Sequence, residues 1–287
     1  MNRTGNRSTP FVFVVSLSLA ALMSAAMPLR LRAQEASVAA TSAALTWEQM
    51  EAFLLEAPIV SSRKIGKGVT DSRVATLSDG HITHDAHIQH VNIEKRSERN
   101  FRDHYRYNIA AYRLARLLGL VNVPASVERR VDEAPAAVTW WVDEVAMDEG
   151  EREKREKSNT LPAQWRRATA IDYVDVMRVF DELIANADRN AGNQLWTNDG
   201  RMWLIDHTRA FRLQHRLKKP ASLQRCHRAL WQALRALTAE SLTTVAGPSL
   251  SKDEVNAVIA RRDLIVKQLD AMISARGESA VLYTLTP

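Results

Sequence analysis

One stretch constrains the fold more than any other: "NADRNAGNQLWTNDGRMWLIDH", from Asn186 to His207. Two short apolar runs, "QLW" and "MWLI", flank the turn signal "NDG" and predict a hairpin. Ahead of it lies "LPAQWRRATAIDYVDVMRVFDELIAN", an amphipathic segment with Trp165, Ile171, Val174, Met177 and Ile184 among its apolar positions. That periodicity predicts a helix ending near Asn186. Helix, polar loop and hairpin follow in order, with Asp188 and Asn193 in the loop and Asp206 just past the second strand. A hairpin returns to its starting point, so the three side chains can converge. Two carboxylates and an amide carbonyl are hard oxygen donors, suited to Mg²⁺ held together with phosphate and water. The plainer reading is an Asx-rich loop that satisfies its own backbone.

The chain before that stretch alternates between sheet and helix signals. "TWEQMEAFLLEAPIV" predicts a short helix capped by Thr46. "SRVATLSDGHITHDAHIQHV" alternates around "SDG" and predicts antiparallel strands. Just upstream, Gly66 and Gly68 bracket a tight turn around Lys67. "SERNFRDHYRYNIAAYRLARLLGL" predicts a helix opened by Ser97 and closed by Gly119, with Phe101, Tyr105, Asn108, Tyr112 and Ala115 on one face. Asn108 on that apolar stripe needs a hydrogen-bond partner. "VPASVERRV" and "AVTWWVDEVA" read as strands, in which Trp140 and Trp141 point to opposite faces. "MDEGEREKREKSN" reads as a solvated, mobile boundary between two lobes. Near the C-terminus, "SLSKDEVNAVIARRDLIVKQLDAMISARG" opens with a capping box from Ser251 to Glu254 and ends at Gly277.

The N-terminus has a different character. Arg3 and Arg7 precede the apolar run "FVFVVSLSLAALMSAAM", which reads as a secretory signal peptide cleaved after Ala26 or Ala33. An uncleaved anchor is the other reading, because a run of about 17 apolar residues is barely long enough to span a bilayer. Residues 1–33 carry four arginines and no acid, so the net charge beyond them is +2 rather than +6. Such a balance gives no reason to expect nucleic acid, which demands a concentrated basic face. A secreted or periplasmic location follows, with no stable membrane insertion after cleavage. Cys226 is the only cysteine, so no intrachain disulfide can form.

The offsets in the loop carry a resemblance. Asp188 and Asn193 are five apart, as in the catalytic loop of protein kinases, and an Asp follows the next hairpin. The order "DR" in "NADRNAGN", with "LIDH" downstream, resembles the atypical kinases: phosphatidylinositol 3-/4-kinases, HipA-type toxin kinases and the secretory-pathway kinases that phosphorylate casein. The resemblance extends from "IGKGVTDSRVATLSDG", as a glycine-rich hairpin, to the final helices. It implies an α+β, two-lobed kinase-like fold, with a signal peptide over 1–33, a linker and short helix over 34–59, a sheet-rich lobe over 60–146, a charged linker over 147–157 and a helical lobe over 158–287. It implies ATP and Mg²⁺ between the lobes and phosphoryl transfer to a protein, lipid or small-molecule acceptor. Asp188 would orient the acceptor hydroxyl, Asn193 and Asp206 would bind metal, and Arg189 would brace the loop.

The pattern breaks in the first lobe. The strand lysine that kinases bring to the phosphates falls at Gln89, and its helix glutamate partner at Asn108. Two readings stay open: Lys67, between Gly66 and Gly68, supplies the cation from another direction, or the chain is a pseudokinase that binds nucleotide or protein without turnover. A separate feature is "HITHDAHIQH", whose four histidines invite a zinc reading. Strand alternation opposes it, since His81 and His87 share one face while His84 and His90 share the other.

Overall fold

The computed structural model describes residues 45–65, 72–95 and 101–285. The chain enters on helix α1 (Trp47–Glu56), closed at its start by a reciprocal capping box between Thr46 and Gln49. Phe53 and Leu54 bury its inner face, and Arg129 ends it by donating to the carbonyls of Leu54 and Ala57 at 3.2 and 2.7 Å. Three strands follow: β1 (Ile59–Lys64), β2 (Arg73–Ser78) and β3 (Thr83–Gln89). The turn joining β2 to β3 is built on Asp79, whose Oδ1 accepts from the amides of His81 and Ile82. Alternation buries Ala75 and Leu77 on one face of β2 and Ala86 and Ile88 on one face of β3, as the sequence pattern predicts, while Val74 is buried on the other face of β2.

The next segment corrects an expectation. Ser97 lies outside the described residues, and the helix predicted to start there begins nine residues later. Residues 101–104 instead form strand β5 (Phe101–His104), paired with β4 (Asn92–Lys95). Helix α2 (Arg106–Leu117) comes only afterwards. Tertiary bonds explain the change: the His104 amide donates to the Thr208 carbonyl at 2.9 Å, and Asp103 is held by Arg209. Such long-range bonds override local helix propensity. Tyr105, Asn108, Tyr112 and Ala115 are buried, and Gly119 ends the helical segment at a φ of 73°.

Strands β6 (Ser126–Val131) and β7 (Ala134–Trp140) complete an antiparallel sheet in the order β1-β2-β3-β7-β6. The chain then passes to a second sheet, ordered β10-β9-β8, from β8 (Val145–Asp148), β9 (Gln194–Thr197) and β10 (Met202–Leu204). Between β8 and β9, the run read as a mobile charged linker is helix α3 (Glu149–Lys157). Glu149 and Glu151 lie in its first turn and Lys154, Arg155 and Lys157 in its last, which complements the helix dipole. Arg152 and Glu149 form a buried ion pair, and the Trp196 indole donates to Glu149 at 2.7 Å. Two of its charges, Glu149 and Arg152, are thus packed inside, while Glu153, Lys154 and Lys157 stay exposed.

The second lobe is helical. Helix α4 (Arg167–Ile184) runs to the polar loop, and α5 (Arg228–Ala236), α6 (Ala239–Ala246) and α7 (Lys252–Arg276) pack beyond it. The Ser251–Glu254 capping box and the Gly277 terminus of α7 are as the sequence predicts. A short helix α8 (Glu278–Val281) leads to β12 (Leu282–Tyr283), which pairs in parallel with β11 (Cys226–His227). Among the described residues, no helix is long and apolar enough to cross a membrane.

Candidate nucleotide and metal site

Helix α4 ends at Ala185 in the left-handed region, with φ 47°, and the chain turns into the loop. Asn186 organises the turn: its Oδ1 accepts from the Asp188 amide at 3.0 Å and its Nδ2 donates to Asp181 at 3.1 Å. The Asn193 amide group donates to the Asp188 carbonyl at 3.1 Å. Its remaining oxygen is left for the cavity that Asn193 lines.

Arg189 stitches this loop to its surroundings. Its guanidinium donates to both oxygens of Asp181 at 2.9 and 3.1 Å, and to the carbonyls of Asn193 and Ile205 at 2.7 and 2.8 Å. It also donates to Nε2 of His207 at 2.9 Å, so that nitrogen carries no proton. Burial, reinforced by the Arg189 charge, holds the His207 imidazolium pKa well below its ordinary value. The ion pair with Asp181 is itself largely withdrawn from solvent.

Asp206 follows β10 with φ 52°, a rarely populated conformation for a non-glycine residue. Thr208 holds its Oδ1 through a hydroxyl hydrogen bond of 2.9 Å. Asp206 and Asn193 lie on one wall of a cavity of about 650 Å³ between the lobes. His87, Gln89 and Asn108, from the sheet-rich lobe, line the same cavity. Gln89 and Asn108 meet as the sequence predicts, with the Asn108 amide donating to the Gln89 carbonyl at 2.8 Å. Asn108 also accepts from the His207 amide at 2.7 Å. A neutral bridge therefore runs from strand β3 through helix α2 to the residue after Asp206.

Among the described residues, no lysine or arginine lines this cavity. Gly66, Lys67 and Gly68 lie outside the described residues, although their neighbours Ile65 and Ser72 line the cavity. The donor set on the lower wall fits a hard divalent cation. It supplies one carboxylate and one amide oxygen, and Asp206 makes no salt bridge among the described residues that would compete for it. Asp188 is not part of the cavity lining.

Several contributors carried no recognisable sequence signal. Arg209 donates to Asp188 Oδ2 at 3.1 Å and to Asp103 Oδ2 at 2.8 Å, bridging two carboxylates 85 positions apart in the chain. Asp103 is 3% exposed, and its other oxygen is buried without a hydrogen-bond partner. His87 faces the cavity, where burial depresses its pKa against the pull of Asp206. The histidines do not gather: His84 stacks on Trp140 with ring centroids 3.7 Å apart and meets Asp143 at 2.6 Å, whereas His90 meets the Pro135 carbonyl. Trp140 packs on Phe53, and both Trp140 and Trp141 reach the cavity.

No family model matches the chain, and no curated protein matches it. Among solved structures, hydra Fam20, determined with sugar, aligns at a TM-score of 0.63 and 15% identity, covering 85% of this chain and 93% of that one. The Helicobacter pylori proinflammatory kinase CtkA aligns at a TM-score of 0.48 and 10% identity, covering 78% of this chain and 97% of that one. At these identities a likeness is one of fold, and the CtkA alignment is too loose to add to it. The chain has a two-lobed, kinase-like α+β fold.

Proposed function

We propose that this protein is an exported, kinase-like phosphotransferase that moves a phosphoryl group from ATP to a hydroxyl acceptor. The observation that carries the reading is the pairing of Asn193 and Asp206 on one cavity wall, with Asp188 fixed in the adjoining loop. Asn193 and Asp206 would hold Mg²⁺. That ion, when bound, would offset the phosphate charge. Asp188 would orient the acceptor hydroxyl and take up the proton it loses, and Arg209 holds one of its two oxygens at 3.1 Å. Arg189 positions the loop without touching the reactants. On this reading Lys67 supplies the phosphate-facing cation. Export rests on the signal-like N-terminal segment, and the acceptor can be a protein, lipid or small molecule.

A second reading has its own support. The neutral Gln89–Asn108 pair offers no charge to phosphates, which favours a pseudokinase that binds nucleotide or protein without turnover. One substitution separates the two. Asp188→Asn should abolish transfer, by about a hundredfold or more, while nucleotide affinity is preserved, because it removes a carboxylate and hardly changes volume. If wild-type protein binds Mg²⁺–ATP yet transfers nothing across protein, lipid and sugar acceptors, the pseudokinase reading replaces the first.

A further inference from the structure

Charge is strongly segregated along the chain after Asp206. Residues 207–239 contain eight lysines and arginines and no acid. Most of the arginines find partners elsewhere: Arg209 with Asp103 and Asp188, Arg225 with Asp172, Arg228 with Glu278 and Arg235 with Asp270. Arg216, Lys218 and Lys219 do not. Their side chains have no ion-pair or hydrogen-bond partner among the described residues, and all three line a polar cavity of about 480 Å³ behind the Asn186–Asn193 loop.

Buried groups hold this basic segment in place. Glu182, 8% exposed, accepts from the backbone amides of Lys218 and Lys219 at 2.7 and 2.9 Å. Arg261, fully buried, donates to the carbonyls of Arg212 and Gln214 at 2.7 and 2.5 Å. The two acids in the cavity wall are therefore already engaged, Glu182 by those amides and Asp181 by Arg189. What remains is a rim of three cations without ion-pair partners among the described residues, facing the single carboxylate of Glu182, on a loop that cannot easily spread its charges apart. Clustered like charges oppose the compact state, and a bound anion would relieve that repulsion. Arginine adds a planar fork suited to phosphate oxygens, and lysine adds point charges.

We infer that this cavity is a binding site for a soluble, phosphate-bearing polyanion, separate from the cavity that holds Asn193 and Asp206. The inference stands apart from the phosphotransfer reading, since it concerns binding alone. Its position gives it a consequence. Arg189 forms part of the cavity wall and also grips the carbonyls of Asn193 and Ile205, so an occupant would abut the residues that set Asn193 and Asp206.

The test is calorimetric titration of the full chain with inorganic tripolyphosphate in EDTA. The expected result is saturable one-to-one binding that weakens as salt is raised. The triple variant Arg216→Ser, Lys218→Ser, Lys219→Ser should bind at least tenfold more weakly, about 1.4 kcal/mol. Its stability should hardly move, because the three side chains are exposed and have no hydrogen-bond or ion-pair partner among the described residues. The charge-keeping triple variant Arg216→Lys, Lys218→Arg, Lys219→Arg should restore binding, and Asp206→Asn should leave it intact. Unchanged affinity in the serine variant, or loss in Asp206→Asn, would overturn the site. Capture of the wild type by vesicles containing phosphatidylinositol phosphate, without any binding of tripolyphosphate, would overturn the soluble-ligand assignment.

Discussion

The two walls of the inter-lobe cavity solve the same problem by different means. On the upper wall, Gln89 and Asn108 form a neutral amide pair, extended to the backbone of His207. Behind the lower side, two separate ion-paired groups, Asp181 with Arg189 and Asp188 with Arg209 and Asp103, support the loop, and Asp206 is free of ion pairs among the described residues. The Gln89–Asn108 pair can fix geometry but contributes no formal charge. The lower side carries formal charge at each step, and its buried members are paired, as buried charges must be. Among the described residues, formal charge for electrostatic work on a polyphosphate is thus concentrated in the second lobe, and binding there should lean on metal, with Lys67 as the cation proposed for the first lobe.

The largest effect that would break this contrast is on stability. Arg189→Ala removes the guanidinium from a largely buried pair, strands the Asp181 carboxylate, and leaves two loop carbonyls and His207 without their donor. Urea denaturation should show a loss of about 3–5 kcal/mol. A loss below about 1 kcal/mol would mean that the network is ornamental, in the range of surface pairs. Smaller is the effect of Lys67→Ala, which tests whether the upper side recovers charge from its glycine-flanked turn. ATP affinity or turnover should fall tenfold or more, at least about 1.4 kcal/mol. Unchanged kinetics would leave the upper side neutral throughout and strengthen the pseudokinase reading. The smallest effect belongs to Gln89→Lys. Asn108 offers no carboxylate to hold the new ammonium, so ATP affinity should change by less than about threefold, roughly 0.6 kcal/mol. A tenfold gain would show that the amide pair is only a discharged ion pair.

The same contrast explains what was legible in the sequence. The hairpin from Gln194 to Leu204 and helix α4 were readable because their hydrophobic periods are local, and the loop residues inherit their placement from those elements. The Gln89–Asn108 contact was readable only through the kinase resemblance, which sets one strand position against one helix position; no local period announces it. Arg209 was not, since its partners Asp103 and Asp188 lie 106 and 21 positions away and obey no period. Strand β5 was hidden for the same reason: its extended state is held by Thr208 and Arg209 rather than by its own residues. Helix α3 was missed because mixed charge was read as a mobile linker, although two acids in the first turn, three bases in the last and three- and four-residue ion pairs are helix signals.

The central claim is that the lower wall binds nucleotide through metal. It is tested most directly by melting the protein with ATP in excess Mg²⁺ and, separately, in EDTA. With ATP a hundredfold above its dissociation constant, linkage predicts stabilisation of about 2.7 kcal/mol with Mg²⁺. The account predicts a far smaller shift in EDTA, and a loss of the Mg²⁺-dependent part in Asp206→Asn. Equal shifts with and without metal, or a full Mg²⁺-dependent shift in Asp206→Asn, would contradict it.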